Sequence, residues 1–180
     1  MHLFRNTYVC DRCFREHPML YIDFDIKDPA KFSTFQQVYH LLDEIKPKED
    51  SRPYSLWKKL IPLYAQNFIG AYYKEDLSDK PEHRWGFRDM VSYLQFGFEV
   101  NFDYLEHDKD RGRIGFSAYA FPYGGMDRFL MFLKAYDCIP TESYNGFEVI
   151  RFQWQGDFEY EVTEHPEETK AYKATWSKAD

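Results

Sequence analysis

Met126 to Tyr136 is the segment that most constrains the fold. It carries Met126, Phe129, Leu130 and Leu133 at helical spacing, with Met131 and Phe132 added, so apolar side chains run around most of its circumference. One stripe of contact cannot hide such a helix, and the pattern predicts that it lies against a sheet. Asp127 in the first turn and Lys134 in the last have the signs that a helix dipole favours. Before it, Ile114, Phe116, Ala118 and Ala120 alternate with Ser117, Tyr119 and Phe121, which predicts a strand broken by Pro122-Tyr123-Gly124-Gly125. After it, Pro140 is expected to stop the helix. Asn145-Gly146 then turns the chain into a strand over 147–154.

The rest of the chain arranges around this unit. Residues 3–9 and 19–26 read as short strands, the second with Tyr21, Asp23 and Asp25 on one face and Leu20, Ile22, Phe24 and Ile26 on the other. Ser33 with Gln36 suggests a capping box for a helix that buries Phe35, Val38, Leu42 and Ile45. Residues 54–73 suit a helix that Pro62 kinks or splits, although 68–73 could equally be a strand. Trp85 to Leu94 reads as a helix with Phe87, Met90, Val91 and Leu94 inward. Phe98 to Tyr104 alternates as a half-buried strand, and Glu106 to Gly112 as a charged loop. Gln155-Gly156 is expected to make a tight hairpin between 147–154 and 158–162. Residues 164–180 read as a short helix or a loose tail.

These elements predict one α+β domain over residues 1–180. A mostly antiparallel sheet of five to seven strands would carry the buried helix, 126–137, on one face, with two or three further helices. The net charge is −7, and residues 157–168 hold six carboxylates with no lysine or arginine. No cluster of basic residues offers itself to phosphate, which argues against nucleic acid as a direct partner. No apolar run is long enough for a membrane span. Three cysteines without framework spacing, and no apolar leader, suggest a cytosolic protein. Aromatic residues make up 20% of the chain, enough to leave rings over for a contact surface or a homo-oligomer interface.

Cys10, Cys13 and His17 are candidate zinc ligands, because a Cys-x-x-Cys turn brings two thiolates to one tetrahedral ion. The run Tyr8-Val9-Cys10-Asp11-Arg12-Cys13 resembles one knuckle of a zinc ribbon or rubredoxin. It has Phe14 where such knuckles usually have Gly, and no second Cys-x-x-Cys follows. A fourth ligand would have to come from Cys138, His2 or His107. Asp23 and Asp25 share a strand face about 7 Å apart, a spacing that can hold Mg²⁺ against phosphate. Leu20-Tyr21-Ile22-Asp23-Phe24-Asp25 resembles the first motif of haloacid-dehalogenase-type phosphatases and the acidic motif of primase-polymerase folds. Ile26-Lys27-Asp28-Pro29 replaces the phosphatases' following residues. Both acidic positions are also explained as the wet face of an antiparallel strand. No nucleophile, base and orienter can be assembled among the six histidines, and Ser117 lacks a nucleophile elbow.

The leading expectation is therefore a non-catalytic protein-binding domain. Its surface would be acidic and aromatic, formed by Trp154, Asp157, Glu159, Tyr160, Glu161 and Glu164, and its partner a basic protein. In size and charge the chain is similar to bacterial immunity proteins, which neutralise basic toxins. The alternatives are a metal-dependent enzyme or zinc-stabilised domain using the cysteine or aspartate sets, and a structural subunit of a homo-oligomer.

Overall fold

A computed structural model describes residues 19–78, 85–118 and 126–176, the side chains of Ala118 and Trp176 excepted. Strand β1 (Leu20–Ile26) leads into α1 (Pro29–Ile45), α2 (Tyr54–Leu60), α3 (Leu63–Tyr72) and α4 (Trp85–Ser92). Then come β2 (Val100–Asp108), β3 (Arg111–Ala118), α5 (Met126–Lys134), β4 (Cys138–Tyr144), β5 (Val149–Trp154), β6 (Tyr160–Glu164) and α6 (Pro166–Trp176). The six strands form one antiparallel sheet in the order β2-β3-β1-β4-β5-β6. The expected α+β architecture is present. Among the described residues, no helix is long and apolar enough to cross a membrane.

The apolar segment behaves as its composition demands. Phe129, Leu130, Phe132 and Leu133 are all fully buried. Phe129 stacks on Phe98 with 4.8 Å between ring centroids, and Phe132 packs 6.1 Å from Phe35 of α1. Ile22 and Phe24 of β1 and Ile114 and Phe116 of β3 supply the sheet side of the same core. Each buried Phe or Leu of this kind contributes about 1.5–3 kcal/mol by leaving water, so α5 is held by packing far more than by helix propensity.

Among the described residues, the opposite face of the sheet is only partly covered. Helix α6 lays Tyr172 against Tyr21, at 5.1 Å, and Tyr144, at 4.9 Å. The Tyr172 hydroxyl donates to the Met19 carbonyl at 2.7 Å. Thr169 Oγ1 accepts from the Val149 N–H at 2.8 Å and donates to the His165 carbonyl at 2.9 Å. Residues 166–176 are thus a docked helix and not a loose tail.

Several local expectations are corrected. Helix α1 starts at Pro29, with Asp28 as its cap accepting from the Ala30 and Lys31 N–H groups; Ser33 and Gln36 lie within it. In the 54–73 segment the strand alternative over 68–73 falls and the split holds: it is two helices, because Pro62 has no N–H to donate and forces Ile61 into an extended conformation. Gln66 closes the break by donating to the Lys58 and Ile61 carbonyls at 3.1 and 2.7 Å. With α6, this brings the helices besides α5 to five among the described residues, more than the two or three expected.

Helix α5 ends at Lys134, before Pro140, and the chain turns through Asp137 at a φ of 56°. Pro140 sits inside β4 where the register against β1 shifts, a place that tolerates a missing N–H. Glu106 to Gly112 is not a projecting loop. Strands β2 and β3 run through it and reverse at Lys109-Asp110. The β5–β6 connection is likewise longer than a two-residue turn, since Trp154 pairs with Tyr160. The strand over 3–9 and the turn at 122–125 lie outside the described residues.

Candidate functional site

The β5–β6 hairpin brings together the residues that the sequence singled out, on a rigid frame. Trp154 donates its indole N–H to the Pro140 carbonyl at 2.7 Å. Lys134, at the end of α5, holds its ammonium 3.7 Å above the Trp154 ring and donates to the Gly156 carbonyl at 2.9 Å and to the Asp157 carbonyl. Burial lowers the Lys134 pKa, and the charge of Asp157 opposes that. The Tyr160 ring packs 4.9 Å from Trp154 and 5.4 Å from Phe152, and its hydroxyl donates to the Asp127 carboxylate. Burial, and then the Asp127 carboxylate, push the Tyr160 pKa up. Phe158 fixes the loop to α3 through Phe68, at 5.1 Å, and Tyr72, at 5.9 Å.

The outer surface of this hairpin is acidic. Asp157, Glu159, Glu161 and Glu164 are all exposed. Among the described residues, none of these four carboxylates forms an ion pair. Glu167 pairs with Lys170 at 2.8 Å and Glu168 with Arg151 at 2.7 Å, so part of the acidic run is neutralised within the chain. Val162 is 51% exposed between Glu161 and Glu164. Tyr172, on α6, packs against Tyr144 on the other face of the sheet.

A second constellation lies on the open half of the far face. Strand register places Glu106, Arg113, Asp23, Glu142 and Arg151 in one row across five strands. Arg113 donates from Nε and Nη2 to the two oxygens of Asp23, the latter at 2.7 Å, and stacks 4.1 Å from the Tyr21 ring centre. The Tyr21 hydroxyl donates to Glu142 at 2.8 Å, and Arg151 donates to Glu142 at 2.9 Å and to Glu168 at 2.7 Å. Burial first, and then Glu142, raise the Tyr21 pKa, so this phenol is a hydrogen-bond donor and a poor acid. Above the row is an open cleft of about 760 Å³, also lined by Asp25, His107, Asp108 and Arg111.

Sequence reasoning singled out Asp23 and Asp25 and missed their partners. Both oxygens of Asp23 are engaged by Arg113, and Asp25 accepts from Lys27 at 2.9 Å, so each aspartate faces a cation of its own chain. Arg113, Glu142 and Arg151 carry no local motif; only the register reveals the row. Among the described residues, no group of three or more His, Cys, Asp or Glu side chains could hold a metal ion. Cys10, Cys13 and His17 lie outside the described residues, and so does His2. Cys138 is buried, with its thiol pKa pushed up to about 12 by that burial. His107 packs edge-on to Phe32 at 5.0 Å, and His165 stands 3.6 Å from Glu168.

Lys46 is a second feature without a sequence signal. Its ammonium donates to the Phe98 carbonyl beside a five-residue π-helical turn, Tyr93–Gly97, and burial lowers its pKa to about 8. No family model matches the chain, and neither a curated protein nor a solved structure matches it significantly.

Proposed function

We propose that this protein is a non-catalytic binding domain that receives a basic protein partner on the β5–β6 hairpin. The observation that carries the reading is the exposed set Asp157, Glu159, Glu161 and Glu164, of which only Asp157 feels a nearby cation, Lys134, and none forms an ion pair among the described residues, although the hairpin beneath it is firmly held. Carboxylates at such a rim speed the approach of a basic surface, and a fixed frame lowers the entropy lost on docking. Trp154 and Tyr160 contribute half-buried ring surface at the loop end of the hairpin. An immunity- or inhibitor-type role is the form of this reading in which the basic partner is a toxin or an enzyme.

The test uses an eight-residue fluorescein-labelled peptide of alternating lysine and valine, followed by anisotropy at low and moderate salt. Binding is expected at low salt and should weaken as salt rises. Combining Glu159→Lys with Glu161→Lys should weaken it about tenfold, corresponding to roughly 1.4 kcal/mol. Glu167→Lys, at a carboxylate already paired with Lys170, should have little effect. Equal binding by the double reversal would remove the hairpin from the account.

A further inference from the structure

We infer that β6 takes up an extended segment of its basic partner as a seventh strand; this rests on the binding role proposed above. Among the described residues, strand β6 is an edge of the sheet, paired with β5 alone. The Gln155 N–H donates to the Glu159 carbonyl and the His165 N–H to the Val149 carbonyl. Both bonds fit one antiparallel phase, in which Glu161 and Thr163 bond towards β5. Tyr160 and Val162 therefore turn their backbone N–H and C=O groups away from the sheet.

The two edges differ in how they are guarded. Strand β2, at the other edge, has a register shift between Phe102 and Tyr104. Strand β6 stays in register over all five pairs with β5 and contains neither proline nor lysine, the usual blocks to strand addition. Its guard is carboxylate. In a second copy pairing antiparallel through the same strand, Glu161 would face acidic residues of its own kind, which is unfavourable. A segment with lysine or arginine on that face has the complementary sign. Strand alternation then completes the recognition pattern: basic residues meet Glu159 and Glu161 on one face, and apolar residues meet Tyr160 and Val162 on the other.

Backbone pairing is separable from charge attraction by N-methylation of the lysine–valine peptide. Two versions carry methyl groups on alternate amides, one on the lysines and one on the valines, with charge unchanged. One version should lose binding at least tenfold and the other should bind nearly as the parent does. Val162→Pro removes the outward N–H without changing charge and should also abolish binding; its circular dichroism and melting midpoint report whether it folds. If it does not fold, the methylated peptides decide. Parent-like binding of both methylated peptides would overturn strand addition while leaving the charge-based reading standing. No binding of the parent peptide would overturn both. A concentration-dependent dimer in sedimentation, abolished by Val162→Pro, would overturn the choice of occupant.

Discussion

Arg113 and Asp23 meet side-on across neighbouring strands: two guanidinium nitrogens face two carboxylate oxygens, and the tyrosine preceding Ile22 lies under the guanidinium. The geometry combines a bidentate pair with ring stacking, which lysine at position 113 could not reproduce. It also leaves the first member of the acidic pair on β1 with both oxygens engaged by a cation of its own chain.

Breaking this pair should cost stability, discounted because both side chains remain partly exposed. Arg113→Ala is expected to destabilise the fold by about 1–2 kcal/mol in denaturant titration, and the Arg113→Ala/Asp23→Ala cycle to give a coupling of about 1 kcal/mol. A coupling near zero would reduce the row to a surface pattern.

Gly112 is a steric requirement and Gly156 is not. A Cβ at Gly112 would come within 2.3 Å of the buried Phe24 ring, whereas a Cβ at Gly156 meets nothing within 4 Å. Gly112→Ala should therefore cost about 1–3 kcal/mol, and Gly156→Ala should leave the melting midpoint nearly unchanged. Similar effects for the two would contradict the described contact between β3 and the core.

Cys138 should be unreactive while the protein is folded, since it is buried and its thiol stays protonated up to about pH 12. In a Cys10→Ser/Cys13→Ser background, which leaves it as the sole cysteine, a thiol-exchange reagent at pH 8 should label almost nothing until denaturant is added. Fast labelling of the native protein would mean that β4 is open to solvent.

Lys46 should titrate near pH 8, well below its ordinary 10.5, because burial disfavours its charged form. Between these two values the unfolded chain binds a proton that the folded chain has released, so this group's contribution to stability rises with pH across that window. The stability difference between the wild type and Lys46→Met should shift in the wild type's favour from pH 8 to pH 10.5, and Nζ-detected NMR should give the pKa directly. A flat difference with a pKa near 10.5 would place Lys46 in water.

The core was legible because its chemistry is local. The apolar density of 126–134 and the alternation in 20–26 each specify an environment without knowledge of the neighbours. The errors fell where a neighbour decides. Pro140 reads as a helix stop, but a register shift accommodates it within β4. Glu106 to Gly112 reads as a loop from its charges, yet those charges form the wet face of paired strands. The acidic hairpin was legible as a charge run, whereas the pinning of Tyr160 by Asp127 and of Trp154 by Lys134 requires α5 to be placed first. The row from Glu106 to Arg151 was hidden for the same reason: its members come from five separate strands.

The most direct test follows amide shifts of ¹⁵N-labelled protein during titration with the lysine–valine peptide, since the cleft beside Asp25, Glu106 and Asp108 also carries carboxylates and is the natural competitor. The account predicts that the largest changes fall on residues 159–164 and on the Trp154 indole N–H. Changes centred on Asp25, Glu106 and Asp108, with the hairpin unaffected, would contradict it.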